Sequence, residues 1–226
     1  MCRYLGGVSV NGGARESLVY ILVAVVVVVI IVFAVVFSGR SLKSAYVPND
    51  FLDAGWSEDL FERDSGSSFF GLESWYSITY KTEGLYPASL TVSTYKTLFM
   101  MNEDELRDKT TETIWAASQQ GIVVVNGTKI FGERFLKNGH NSIYIVYDGE
   151  DTSKDPVEKI KVVGEVWNCG VSGTSIICIG VAQVTDNLNN NTAVNTTSWK
   201  KIISGLNGEI EDFTGDDGLI YNVVCH

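Results

Sequence analysis

The sequence has few of the side chains that usually carry chemistry. Its 226 residues include two histidines and four cysteines. No cysteine and histidine set follows zinc-finger spacing, no Gly-x-Ser-x-Gly motif occurs, and no glycine-rich loop has a phosphate-binding pattern. The sequence therefore predicts no cofactor, and it favours binding or assembly over catalysis.

Positive charge is also scarce. The chain has 17 basic and 27 acidic residues, which gives a formal net charge of −10. A surface of this sign repels nucleic-acid phosphates, so we expect no nucleic-acid partner. Two loops, 148–155 and 211–218, cluster carboxylates near glycines as calcium loops do, but neither has the EF-hand spacing. The pattern alone leaves metal binding unknown.

A catalytic thiol needs a base, and His140 and His226 are the only imidazoles in the sequence that could act as one. One alternative function is therefore a thiol-dependent envelope enzyme that uses Cys178 or Cys225 with a histidine. The order of His140 before Cys178 resembles that in sortases, which also join a membrane anchor to an external β-rich domain. Sortases use an arginine after the cysteine, however, and this sequence has none after Arg134. The resemblance does not imply a transpeptidase.

The sequence does contain one long apolar run. Residues 18–37 contain no charged residue, no glycine and no proline. Twenty helical residues span roughly 30 Å, which matches the hydrocarbon thickness of a bilayer. A cleavable signal has a shorter apolar stretch followed by a small-residue cleavage site, so we predict an uncleaved transmembrane helix over 18–37.

The orientation of this helix is not decided by charge, because basic residues flank both sides equally. Two other features favour a cytoplasmic tail over 1–17 and a large domain outside: the tail is short, and glycosylation acceptors lie in the long segment. The cysteine pattern, which suits oxidation, favours the same side. We expect a single-pass protein of the cell membrane with an extracytoplasmic domain. The predicted glycosylation sites are Asn126, Asn190 and Asn195.

The N-terminal residues allow a second function. The sequence GGARES before the apolar run resembles the leader of type IV pilins, which place a glutamate shortly after the cleavage site. Cleavage after Gly12 would put Glu16 at the fourth position of the processed chain. The resemblance implies a pilin-like surface filament subunit. Pilin helices commonly continue beyond the membrane, whereas here Pro48 and the preceding glycine and serines argue against continuation.

The remainder predicts an α+β fold with a mainly antiparallel sheet and one or two helices. We interpret 38–73 as a juxtamembrane stalk with a short helix near 51–61, and 74–226 as the extracytoplasmic domain. Asn102 and the acidic residues after it predict a helix that ends near Gly121. Runs rich in β-formers predict strands at 74–80, 88–100, 122–125, 129–136, 142–148, 159–167, 175–184 and 219–225, with a short helix at 199–206.

The strongest local prediction concerns the cysteines. If Gly173 and Thr174 form a two-residue type II′ turn, Cys169 lies opposite Cys178 at a non-hydrogen-bonded position. The Cα atoms of such a pair lie about 4.5 Å apart, within the range of a disulfide. We predict this bridge, with two alternatives: a bridge from Cys225 to one of the two, or buried reduced thiols.

Together these patterns predict a membrane-anchored binding or assembly domain, an accessory subunit of a cell-surface or membrane complex. The membrane partner is contacted through residues 18–37. The apolar helix has little polar character, so it predicts an anchor and leaves partner recognition to the domain. We expect a protein partner or a homo-oligomer.

Overall fold

A computed structural model describes residues 42–52, 55–68, 72–118, 121–125, 128–186, 193–205 and 215–226. These residues belong to one compact unit, 42–226. The predicted tail, the span 18–37, the Gly12 cleavage site and the acceptors Asn126 and Asn190 lie outside the described residues. Within the described ranges, no helix combines the length and the apolar character that crossing a membrane requires.

The domain is a mainly antiparallel β-sheet with two helices, as the sequence predicted. The strands are β1 Trp56–Ser68, β2 Glu73–Thr82, β3 Ala88–Lys96, β4 Ile122–Val124, β5 Ile130–Phe135, β6 Asn141–Asp151, β7 Glu158–Cys169 and β8 Thr174–Gln183. The helices are α1 Glu103–Ser118 and α2 Thr197–Ile203. The sheet order is β1-β2-β3-β8-β7-β6-β4, and β5 also pairs with β6.

The central strands are buried on both sides because each sheet face has its own cover. β7 and β8 are almost continuously buried, whereas β1, at the edge, is mostly exposed. This explains why the sequence of β8 reads as a long apolar run without alternation.

The first face, which we call the α1 face, packs against α1. Leu106 and Ile114 of this helix are buried against strand residues such as Val166 and Val162. Asn102 caps α1: its side-chain oxygen accepts from the Glu105 backbone N–H at 2.9 Å, while the Glu105 carboxylate accepts from the Asn102 N–H at 2.9 Å. This reciprocal pair satisfies two backbone donors at the helix start.

The second face, which we call the terminal face, has an irregular cover. It packs against α2, through Trp199 and Ile202, and against two segments, 45–47 and 219–225. Tyr46 and Val224 exchange backbone hydrogen bonds of 3.0 and 2.9 Å, so the first described segment of the domain pairs with the last one.

Two predicted elements are wrong. The region near 51–61, predicted as a helix, contains the start of strand β1, which lies within the predicted stalk and pairs with β2 over nine positions. The run 219–225, predicted as a strand, consists mainly of turns and contributes one isolated bridge at Val224. Pairing with β2 makes the first of these a strand, and core packing of 219–225 takes the place of strand pairing in the second.

The predicted turn between Cys169 and Cys178 is also wrong. Cys169 pairs with Thr174, and Cys178 pairs with Glu165. The connection is a four-residue loop closed by the Gly173 N–H, which donates to the Cys169 carbonyl at 2.8 Å. This register separates the two cysteines along the sheet, and both are free thiols. The predicted Cys169–Cys178 bridge is therefore not formed.

Candidate metal centre

Four metal-binding side chains converge on the terminal face. They are His140, Cys169, Cys225 and His226, and one ligand atom from each lies within 4.8 Å of all the others. The four residues come from three separate parts of the chain. The arrangement is a Cys₂His₂ ligand set, the donor chemistry of structural zinc sites.

The sheet and its turns place two of these residues. Cys169 is the last residue of β7, and its side chain is fully buried. His140 ends the turn between β5 and β6, where its backbone N–H donates to the Asn138 side-chain oxygen at 3.0 Å. Gly139, within this turn, has a positive φ of 82°. The turn therefore places His140 close to Cys169 at the end of β7.

The other two residues arrive with the C-terminal segment. Cys225 is buried and His226 is exposed. The β5–β6 turn holds this segment: the Lys137 backbone N–H donates to the Tyr221 carbonyl at 3.2 Å, and the Asn138 amide donates to the Val223 carbonyl at 3.0 Å. The four ligands are thus positioned by ordinary protein contacts.

The distances between ligand atoms suit one small ion. Nδ1 of His226 lies 3.5 Å from the sulfur of Cys169 and 3.5 Å from the sulfur of Cys225. Zinc bonds of about 2.3 Å to sulfur and 2.0 Å to nitrogen in a tetrahedron put neighbouring ligand atoms about 3.5 Å apart. The largest separation in the cluster needs to shorten by roughly 1 Å for full coordination.

One imidazole nitrogen is buried without a partner. Nε2 of His140 is inaccessible to solvent and makes no hydrogen bond within the described part of the chain. Buried polar atoms of this kind are rare and need an explanation. The rings of His140 and His226 meet edge to face, with centroids 5.6 Å apart. A metal ion bound through Nε2 would give this atom a partner.

The local electrostatics favour metal ligation. Burial lowers the pKa of His140, and the nearby His226 lowers it further, which favours the neutral imidazole that binds metal ions. Burial opposes ionisation of Cys169, but hydrogen bonds from Cys225, Ser172 and His226 outweigh it and lower the pKa of this thiol. Of the two cluster thiols, Cys169 therefore ionises more easily than Cys225.

Cys225 differs from Cys169. Burial, followed by the hydrogen bond and charge of Cys169, raises the pKa of Cys225 to about 12. Two neighbouring thiolates repel one another unless a cation lies between them. The indole N–H of Trp167, which has no hydrogen-bond partner of normal geometry among the described residues, faces this thiol and lowers its pKa in part. Such a donor supports a metal-bound thiolate.

The same geometry bears on the thiol-enzyme alternative. Cys178 is fully buried in the sheet, where burial and the charge of Glu165 raise its pKa well above the ordinary value. Cys225 does contact an imidazole, that of His226, but its raised pKa is the opposite of what a nucleophilic thiol requires. Neither Cys178 nor Cys225, the two thiols of this alternative, therefore has the lowered pKa of a nucleophile.

Sequence analysis missed this centre because it searched for short spacings. His140 and Cys169 are 29 positions apart, and Cys225 follows 56 positions later. One signal was available: both histidines, His140 and His226, and the unpaired third cysteine, Cys225, lie outside the predicted helices. Of the glycosylation acceptors, Asn195 is described: its side-chain oxygen accepts from the Thr197 N–H at 2.9 Å.

No protein-family model matches this chain. Neither a curated protein nor a solved structure matches it. Its function must therefore be argued from the Cys₂His₂ centre and from the sequence.

Proposed function

We propose that this chain is a membrane-anchored, extracytoplasmic domain that holds a structural zinc ion at His140, Cys169, Cys225 and His226. The observation that carries the proposal is the convergence of these four ligand atoms within 4.8 Å. Two sulfurs and two imidazole nitrogens select zinc among common divalent ions, and four protein ligands leave no open position for substrate. The ion serves structure and not catalysis.

The zinc ion would join the two terminal segments to the sheet. Cys225 and His226 follow Val224, which pairs with Tyr46, while His140 and Cys169 belong to the sheet and its turn. Segment 45–47 follows the predicted transmembrane helix 18–37. The ion would therefore stabilise the contact between segment 45–47, which follows the anchor in the sequence, and the C-terminal segment. Such a contact would help the domain to present one surface at a membrane.

The proposed activity is binding or assembly, through a protein partner or a homo-oligomer. The predicted anchor and the acceptors at Asn126, Asn190 and Asn195 support the external placement. A disulfide would have supported the extracytoplasmic placement, and the free thiols do not. Zinc coordination would itself protect Cys169 and Cys225 from oxidation. The pilin-like filament subunit remains the alternative form of assembly.

Metal analysis of the full chain tests the zinc site. The chain is purified from membranes in detergent, and its zinc content is measured by mass spectrometry before and after exchange with cobalt. We expect one zinc per chain and, with cobalt, the absorption bands of a tetrahedral thiolate site. C169A and C225A should each lose the metal.

The chain supplies a matched control, because Cys178 is an equally buried free thiol outside the cluster. C178A should keep one zinc per chain. Equal metal loss in C178A and C169A would show that metal retention reports folding and not ligation. A full chain without zinc, or with zinc that C169A and C225A retain, would overturn the proposal.

A further inference from the structure

The sheet has one end that carries an unusual amount of exposed apolar surface. Strands β1, β3, β5 and β7 run in the same direction, so the connections that follow them lie at the same end. We call this the linker end, because the Ala45 N–H donates to the Thr94 hydroxyl near the end of β3 at 2.7 Å. The opposite end, with the β2–β3 turn, is the far end.

A continuous apolar run is exposed at the linker end. Leu98, Phe99 and Met100 follow β3, and all three are exposed, Phe99 by 81%. The β7–β8 loop adds Val171, which is 76% exposed. The two loops are neighbours, because the Asn168 side chain donates to the Met101 carbonyl at 2.8 Å. We call these four exposed residues the apolar tip.

Exposed runs of this kind need a reason. Scattered apolar residues are common on protein surfaces, but three in succession with an aromatic among them normally mark a contact surface. The tip does not contribute to the sheet core, whose nearby member Met101 turns inward against Leu106 and its neighbours. The side chain of Met101 thus packs in the core, whereas that of Phe99, two residues earlier, is exposed to solvent.

The length of the connecting chain suggests what covers the tip. Ala45 lies eight residues after Phe37, the last residue of the predicted transmembrane helix. Eight extended residues reach at most about 28 Å, so the linker end is tethered close to the bilayer. The far end lies a further strand length away, roughly 30 Å along β3.

We propose that the apolar tip inserts into the headgroup region of the same bilayer and gives the domain a second point of membrane attachment. Leucine, methionine and phenylalanine side chains are favoured at this depth. The acidic first turn of α1, Glu103 to Glu105, follows the tip directly and is exposed. These charges would be repelled by anionic lipids, so the partner is a bilayer with neutral headgroups.

This inference rests on the proposed function in one respect, since it needs the membrane anchor. It does not depend on the zinc ion. Photo-crosslinking of the full chain in phosphatidylcholine liposomes tests it. The photoreactive residue p-benzoylphenylalanine replaces Phe99 in one variant and Leu85 in the control. Leu85 lies in the β2–β3 turn at the far end and is 51% exposed.

We expect lipid adducts at position 99 to exceed those at position 85 several-fold by mass spectrometry. Equal yields at the two positions, or a crosslink from position 99 to a second copy of the chain, would overturn the proposal. Alkaline carbonate extraction separates the two hypotheses. Release of the chain from the liposomes would refute the anchor and the tip together, whereas a retained chain without lipid adducts would refute the tip alone.

Discussion

The two faces of the sheet are covered in different ways. The α1 face is covered by one 16-residue helix, whose buried residues Leu106 and Ile114 fit between side chains of the strands. The terminal face is covered by a seven-residue helix and two irregular segments. A regular helix satisfies its own backbone, whereas irregular segments depend on cross-links to the rest of the fold.

The cross-links of the terminal face are polar and closely spaced. The β5–β6 turn holds its C-terminal segment by hydrogen bonds, beside the Cys₂His₂ cluster, and a buried ion pair lies farther along β7. Arg134 and Glu165 are joined by two bonds of 2.7 and 2.8 Å, and their side chains are 1% and 0% exposed. The comparison indicates that a regular helix covers one face, whereas the irregular cover of the other combines apolar packing with buried polar contacts.

Zinc removal should have the largest effect, and it should act on one face. Where free zinc exceeds the dissociation constant about 1,000-fold, binding contributes about 4 kcal/mol to the free energy of unfolding. We expect a chelator to increase amide hydrogen exchange at 219–225 and in the turn 137–140, while α1 keeps its protection. Hydrogen-exchange mass spectrometry of the full chain measures both regions at once.

The C178A chain is the control for this experiment, and chelation should affect it in the same way. C169A should already exchange rapidly at 219–225 and should respond little to the chelator. A uniform increase across α1 and the C-terminal segment would mean that the two faces unfold as a single unit, and it would remove the distinction drawn between them.

The second effect concerns the ion pair of the terminal face. Burial opposes the charge of Arg134, but attraction and hydrogen bonds from Glu165 outweigh burial and raise its pKa. E165Q would leave a buried guanidinium without its counter-charge, so we expect a loss of about 3 kcal/mol in unfolding free energy by denaturant titration. The double variant R134M/E165L should recover most of this loss, because it removes both charges.

An equal loss in E165Q and in the double variant would contradict the expectation. It would show that the site depends on the other polar partners, which are the Ser142 hydroxyl, at 2.5 Å from Glu165, and the Ile203 carbonyl, which accepts from Arg134. Those bonds link β6 and α2 to the pair.

Local signals in the sequence predicted the α1 face well. Asn102 and the acidic residues after it predicted the start of α1, and runs rich in β-formers predicted β7 and β8. These features succeed because capping and burial are decided within a few residues. The sheet and the two helices could therefore be predicted.

Long-range geometry accounts for what the sequence analysis missed. β1 carries five charged residues between Trp56 and Ser68, and it forms a strand because it pairs with β2 and faces solvent at the edge. A four-residue loop in place of a two-residue turn moved Cys178 away from Cys169. The metal centre depends on the docking of the last residues near His140, which no local spacing encodes.

The smallest predicted effect tests the α1 face at its helix cap. N102A removes the oxygen that accepts from the Glu105 N–H, so we expect a loss of about 1 kcal/mol in unfolding free energy. Because this change lies on the α1 face, zinc content and hydrogen exchange at 219–225 should stay as in the unmodified chain. N102D is the control, since an aspartate keeps an acceptor and favours the helix start. Zinc loss in N102A would show that the two faces are coupled through the sheet, and the separation between regular packing and polar cross-links would then fail.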